Sequence, residues 1–185
     1  MGRRILISLI AGVLVCMPAF ARQKENKMSE GKSIVAYFSA TGTTEKVARM
    51  VASAAGAELM EIVPVQKYTD ADLDWTDADS RSCRENDDPS SRPAIVRTRE
   101  SLEEYDVIYL GFPNWWNMAP RIINTFVETY GLKGKTVIPF MTSGGSRIDN
   151  SVRILRKDYP EVNWQDGKLL NSATQRSVTD WVKSL

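Results

Sequence analysis

From residue 32 onward, short apolar runs alternate with longer stretches whose apolar positions recur every three or four residues. The runs Ile34 to Phe38, Leu59 to Val63, Val107 to Phe112 and Thr136 to Met141 are largely uninterrupted, as in parallel strands buried on both faces. A helix is predicted after the first strand, carrying Val47, Met50, Val51 and Ala54 on one side. Another begins near Pro93 and turns Ile95, Leu102 and Tyr105 inward. A third starts at Pro120, aligns Ile123, Phe126, Val127 and Tyr130, and stops at Gly131. A fourth aligns Ile148, Val152, Leu155 and Tyr159, with Ser146 to Asp149 resembling a capping box and Pro160 as terminator. The last carries Val178, Trp181, Val182 and Leu185, and a fifth strand is predicted near Lys168 to Asn171. This alternation predicts an α/β three-layer sandwich with right-handed crossovers.

Two places interrupt the pattern. Pro139 removes a ladder donor from the fourth strand, which predicts a bulge or an unpaired position. Within residues 65 to 93, the stretch Thr69 to Pro93 is rich in Asp, Ser and Arg and lacks clear periodicity, yet holds Trp75. A connection this long is usually functional or disordered, and its tryptophan predicts an ordered loop packed on the body near a ligand.

The first 21 residues follow different rules. Arg3 and Arg4 precede an uncharged apolar stretch from Ile5 to Met17 and an A-x-A pattern at Ala19 to Ala21, the layout of a secretory signal peptide. Cys16 invites a lipoprotein reading, but Val15 stands where lipidated precursors carry a small residue. A start at Met28 would instead give a cytoplasmic protein. With cleavage after Ala21, residues 22 to 31 form a polar tether and residues 32 to 185 one domain in an exported, periplasmic protein. Losing two arginines lowers the 24 basic residues to 22 against 23 acidic ones, a balance that argues against nucleic acid as a partner. Only Cys83 of the two cysteines lies beyond the leader, so the mature chain has no internal disulfide. Histidine is absent, which excludes Ser-His-Asp and Cys-His hydrolase arrangements and histidine-based zinc sites. Any chemistry must come from a bound group.

The segment Ser39-Ala40-Thr41-Gly42-Thr43-Thr44 joins the first strand to the first helix. Unpaired amides at a helix N-terminus and several hydroxyls make such a turn a phosphate cradle. It lacks the G-x-x-x-x-G-K-[ST] of nucleoside triphosphate sites and the G-x-G-x-x-G of dinucleotide sites, so a terminal monophosphate fits better. The alternative is an ordinary turn in which the threonines cap the helix. Two further loops leave the carboxyl ends of strands, where ligands collect in open parallel sheets. Pro113-Asn114-Trp115-Trp116-Asn117-Met118 puts two indoles on a connection, and Thr142-Ser143-Gly144-Gly145-Ser146 is small enough for backbone to approach a flat ligand. Adjacent side chains of an extended loop point to opposite sides, so at most one of Trp115 and Trp116 would stack; both could equally be packing anchors, and the glycine-rich loop a plain turn.

Together these loops resemble those of the flavodoxin family, and the resemblance spans residues 32 to 185. It implies a five-stranded parallel sheet of order 2-1-3-4-5 and FMN as cofactor. By the same resemblance, Ser39, Thr41, Gly42, Thr43 and Thr44 hold the FMN phosphate, with Ala40 contributing backbone only. Pro113, Asn114, Trp115 and Trp116 border the isoalloxazine, and Thr142, Ser143, Gly144 and Gly145 approach its opposite edge through backbone groups. No catalytic residue and no metal are implied.

The resemblance further implies electron transfer between redox partner proteins. An aromatic, buried site disfavours the anionic hydroquinone and lowers the potential of that couple. Two departures open an FMN-dependent oxidoreductase reducing a quinone or other small acceptor: the mature chain is near neutral where family carriers are acidic, and Pro113 to Ala119 has no glycine for the peptide turn that bonds the one-electron reduced ring in many carriers. A flavin-free binding domain is the third reading.

Overall fold

The computed structural model describes residues 31–185, so the leader, the alternative start at Met28 and most of the tether lie outside the described residues. Strands β1 (Ser33–Tyr37), β2 (Glu58–Glu61), β3 (Val107–Pro113) and β4 (Thr136–Thr142) form a parallel sheet, ordered β2-β1-β3-β4-β5. The fifth place is shared by two short strands, β5 (Asn163–Trp164) and β6 (Lys168–Leu169), each pairing with β4. Five helices complete the layers: α1 (Thr43–Ala55), α2 (Arg81–Asp87), α3 (Arg121–Tyr130), α4 (Asp149–Asp158) and α5 (Gln175–Lys183).

Strand alternation divides the core in two. Ile34, Ala36 and Phe38 of the first strand region and Ile108, Leu110 and Phe112 of β3 share one cluster with Ile123 and Phe126 of α3 and Val152 and Leu155 of α4. The intervening Val35, Tyr37, Val107 and Tyr109 share the other with Val47 and Val51 of α1 and Val178 of α5. A residue period of two thus feeds both helix layers from one strand, which is why these runs are apolar throughout.

Pro139 sits in unbroken register opposite Leu110, without a bulge. The carbonyls of Val137 and Met141 accept from Gln165 and Leu170 on the β5/β6 side. Pro139, two residues from each, therefore turns its missing donor toward the gap between β5 and β6. The edge is split where β4 has no N–H to offer, and the expected unpaired position is found.

Two sequence expectations are corrected. Residues 93–105 form no helix. Val65 N–H donates to the Ala94 carbonyl and Val96 N–H to the Val63 carbonyl, drawing the segment into an isolated antiparallel bridge, while Leu102 and Tyr105 are buried from irregular backbone. The connection instead holds a short 3-10 turn at Ala71–Leu73 and the α-helix α2, within the stretch that showed no periodicity, because three and seven residues are too few to display one. The capping box at α4 is also absent. Ile148 is the N-cap and Ser143 Oγ takes the amides of Gly145 and Ser146 instead. Pro120 and Gly131 bound α3 as expected, with Gly131 left-handed.

Candidate functional site

The first two loops and the glycine-rich loop converge at the carboxyl ends of β1, β3 and β4 on one cavity of about 770 Å³. Ser39, Ala40, Thr41, Thr43 and Thr44 line it from the first loop, Pro113, Asn114, Trp115 and Trp116 from the second, and Thr142, Ser143, Gly144, Gly145 and Ser146 from the third. Of the residues expected at a site, only Gly42 is not in the wall. It works from behind: at φ 82° it is the left-handed N-cap of α1, a conformation glycine adopts without strain. No side chain caps the helix there. The first helical bond runs from Lys46 N–H to the Gly42 carbonyl, 3.2 Å, so the amides of Thr43, Thr44 and Glu45 have no helical acceptor.

The hydroxyls of this loop are arranged as a pool of donors. Thr41 Oγ1 lies 3.3 Å from Thr43 Oγ1, both exposed, and the buried Ser39 Oγ has no hydrogen-bond partner. Thr44 lines the cavity and has a further partner. Its hydroxyl is buried 2.9 Å from Thr142 Oγ1 and ties the first loop to the third. Because each hydroxyl has one proton, one of the pair still has an O–H to give.

The second loop is a tight hairpin. Trp115 N–H donates to the Met118 carbonyl at 3.0 Å and Met118 N–H returns the bond at 2.9 Å. Trp116 and Asn117 between them have φ of 45° and 62°, the left-handed pair that a type I′ turn requires. Asn150 Nδ2 of α4 donates to the Asn117 carbonyl at 2.8 Å, and Asn114 N–H donates to the Thr142 carbonyl, so the hairpin is fixed at tip and base. The turn separates the indoles. Trp115 packs edge-on against Phe38 and Tyr68, with ring centres 5.6 and 5.3 Å apart, whereas Trp116 stands 40% exposed at the cavity wall. Of the two, Trp116 is the more exposed and takes part in none of the aromatic pairs among the described residues.

The third loop uses part of its backbone internally. Ser143 N–H donates to Asn171 Oδ1 at 2.9 Å, Asn171 Nδ2 donates to the Ser143 carbonyl, and Gly145 N–H goes to Ser143 Oγ. Among the described residues the Gly144 amide has no acceptor. A Cβ on Gly144 or Gly145 would meet no protein atom within 4 Å, so the main chain lies open on one side.

Leu73, Ser82 and Asn171, which the sequence did not single out, complete the wall together with Trp75; Leu73, Trp75 and Ser82 all come from the long β2–β3 connection. This connection is ordered by its own side chains. Tyr68 donates its hydroxyl to Glu85 Oε2 at 2.5 Å, Arg81 Nε donates to Glu85 Oε1 at 2.6 Å, and the Arg81 guanidinium lies 4.0 Å from the Tyr68 ring centre. Burial, then the Glu85 carboxylate, push the Tyr68 phenol far above its ordinary range, so it stays a donor. Arg121, at the start of α3 and buried, donates to the carbonyls of Glu85 and Asn86 at the end of α2. The expected ordered loop near the site is found, although Trp75 itself is 75% exposed rather than packed on the body.

No side chain lining the cavity carries a charge. No group of three His, Cys, Asp or Glu residues suited to a metal occurs among the described residues. The arrangement can bind through dipoles, hydroxyls and aromatic faces. It has no group to serve as a general acid or base near neutrality.

Comparison with known proteins agrees with this geometry. A protein of Bacteroides uniformis provisionally named a flavoprotein has a crystal structure matching at TM-score 0.81, with 56% identity over 83% of this chain and 98% of that one. A similarly named protein of Bacteroides eggerthii matches at TM-score 0.80, with 52% identity over 83% and 96%. A flavoprotein of Lactobacillus acidophilus, crystallised with FMN, shares the fold at TM-score 0.64, with 23% identity over 82% and 99%. No curated protein matches the chain. The sequence model of the family described as Flavodoxin matches residues 32–185, and the chain belongs to the flavodoxin family.

Proposed function

We propose that this chain binds FMN in the cavity at the carboxyl ends of β1, β3 and β4 and transfers electrons between redox partner proteins. One observation carries the reading: loops from three separate strands line a single cavity, one of them rich in unpaired donors and another presenting an indole. The residues fit the cofactor. The partnerless buried hydroxyl of Ser39, the hydroxyls of Thr41 and Thr43, and the α1 amides without acceptors suit a phosphate. Trp116 offers a face to the isoalloxazine, and the Gly144 amide offers an edge donor. FMN would supply the redox chemistry, and the chain would supply binding, exclusion of water and a polarity that disfavours added negative charge on the ring.

With no Lys or Arg in the wall, the phosphate would be held by dipoles alone. The crystallised Lactobacillus relative, an FMN complex of the same fold, supports the choice of cofactor. A second reading, an FMN-dependent reductase of a quinone or other small acceptor, is favoured by the hairpin. Its tip peptide is clamped by Asn150 and its central residues are Trp116 and Asn117, so it has no glycine free to reorient when the ring changes redox state. Export to the periplasm is proposed from the leader sequence.

The test is a titration of the purified chain with FMN, read by flavin fluorescence, followed by stepwise photoreduction. Saturable uptake with a detectable one-electron stage supports the carrier. Uptake without that stage, together with turnover of a quinone, supports the reductase. No uptake removes both.

A further inference from the structure

The exposed indole of Trp75 has no structural task. It is 75% exposed, and Trp75 takes part in none of the aromatic pairs among the described residues. Exposure alone does not make a site, but Trp75 also lines the cavity, so its indole is available to a ligand there. The backbone on either side of Trp75 is pinned. Asp74 Oδ1 accepts from Thr76 N–H at 2.9 Å and from Thr76 Oγ1 at 2.6 Å, and Ser80 N–H donates to the Asp77 carbonyl. Behind it, Cys83 Sγ lies 3.9 Å from the Trp75 carbonyl, and the Arg81–Glu85–Tyr68 cluster anchors the connection. A fixed backbone thus presents a free indole to the cavity that it lines.

The rest of the cavity lacks what Trp75 could give. The loop after β4, Thr142 to Ser146, has no aromatic residue, and Trp115 already engages Phe38 and Tyr68. Apart from Trp115 and Trp116, which share one hairpin, Trp75 is the aromatic residue of the wall, so a second aromatic surface from another connection has to be Trp75. The β2–β3 connection does so.

We propose that Trp75 forms a second aromatic contact with the isoalloxazine, so that the flavin is held by indoles from two different connections, Trp116 after β3 and Trp75 after β2. This rests on the FMN reading above. With two indoles at the ring, small planar acceptors have less access to it, and exchange through its edge with a protein partner is favoured.

The experiment compares wild type, Trp75→Ala and Trp75→Phe for binding of FMN and of riboflavin, which has the same ring without phosphate. The apo-proteins are also melted. Because the indole is exposed, Trp75→Ala should leave the apo melting temperature unchanged while weakening both ligands by a similar factor, about tenfold. Trp75→Phe should recover most of the loss, and Trp75→Ala should speed flavin dissociation. Wild type that binds FMN while Trp75→Ala stays within twofold of it overturns this inference alone. A loss confined to FMN, or one accompanied by a lowered apo melting temperature, overturns it as well. Wild type that takes up no FMN overturns the functional reading and this inference with it.

Discussion

The two connections that follow β1 and β2 solve opposite problems at the same cavity. Residues 39–44 are short and leave their donors unused: Ser39 Oγ has no partner, and α1 begins without a side-chain cap. Residues 65–93 are long and saturate themselves. Thr69 N–H and Oγ1 donate to Asp72, Thr76 to Asp74, Asp79 N–H to Asp77 and Ser90 to Asp88. The acidity of this stretch therefore goes into turns. A loop held by its own bonds can carry an apolar side chain to a ligand, whereas a loop with unmet donors gains its last bonds from the ligand. Substitutions should separate these two modes.

The largest effect is expected in the long connection. Glu85 accepts from both Tyr68 and Arg81, and the charged side chains are only 12% and 14% exposed. Glu85→Ala leaves the Tyr68 hydroxyl without its acceptor and the Arg81 guanidinium without its carboxylate, with only the Gln66 carbonyl remaining to it, and should lower stability by about 3 kcal/mol in denaturant unfolding. The ratio of FMN to riboflavin affinity should stay unchanged, since the cradle is not touched. A changed ratio would mean that the two connections are not independent.

Next comes the cradle. Thr41→Val with Thr43→Val keeps the branched shape and removes two donors, and should weaken FMN by about 2 kcal/mol in a fluorescence titration while leaving riboflavin and apo stability alone. An equal loss for riboflavin would place the hydroxyls at the ring. Gly42→Ala is smaller. A Cβ there meets no atom within 4 Å, so its cost is the left-handed backbone alone, about 1 kcal/mol of apo stability. A larger loss would show that the turn is crowded.

The smallest effect is electrostatic. Thr69 N–H holds the Asp72 carboxyl below the ordinary 3.8, and the hydroxyls of Thr76 and Ser90 do the same for Asp74 and Asp88. A carboxyl with a depressed folded-state value stabilises the fold above the ordinary value and loses that contribution as pH falls through the depressed one. The melting temperature of the apo-protein should therefore drop as pH is lowered below about 4, and changing all three to Asn should flatten that part of the profile. FMN binding has no such dependence to inherit from the wall, which has no charged residue. It should follow only the second ionisation of the phosphate near pH 6, tightening as the dianion forms.

The sheet was legible because strands buried on both faces leave unbroken apolar runs, and the cradle because hydroxyls crowd one strand-to-helix turn. The helix expected after Pro93 failed for a physical reason. Ile95, Leu102 and Tyr105 do face the core, but the bridge at Val63 to Val65 holds the chain extended, and burial at helical spacing does not require a helix. The Thr44–Thr142 bond joins residues 98 apart, and no local pattern signals it. The Asn171 bracket on Ser143 and the Asn150 clamp on Asn117 join residues 28 and 33 apart, again beyond any local pattern. Trp75 was visible as an anomaly, a tryptophan in an acidic stretch, but its place in the wall depends on the Glu85 anchorage.

The most direct test of the account is calorimetry of the apo-protein with FMN and with riboflavin above pH 7, on wild type and on the Thr41→Val, Thr43→Val variant. The account predicts that wild type binds FMN at least about tenfold more tightly than riboflavin and that the variant loses most of this difference. Equal affinities in wild type, or no heat with FMN, would contradict it.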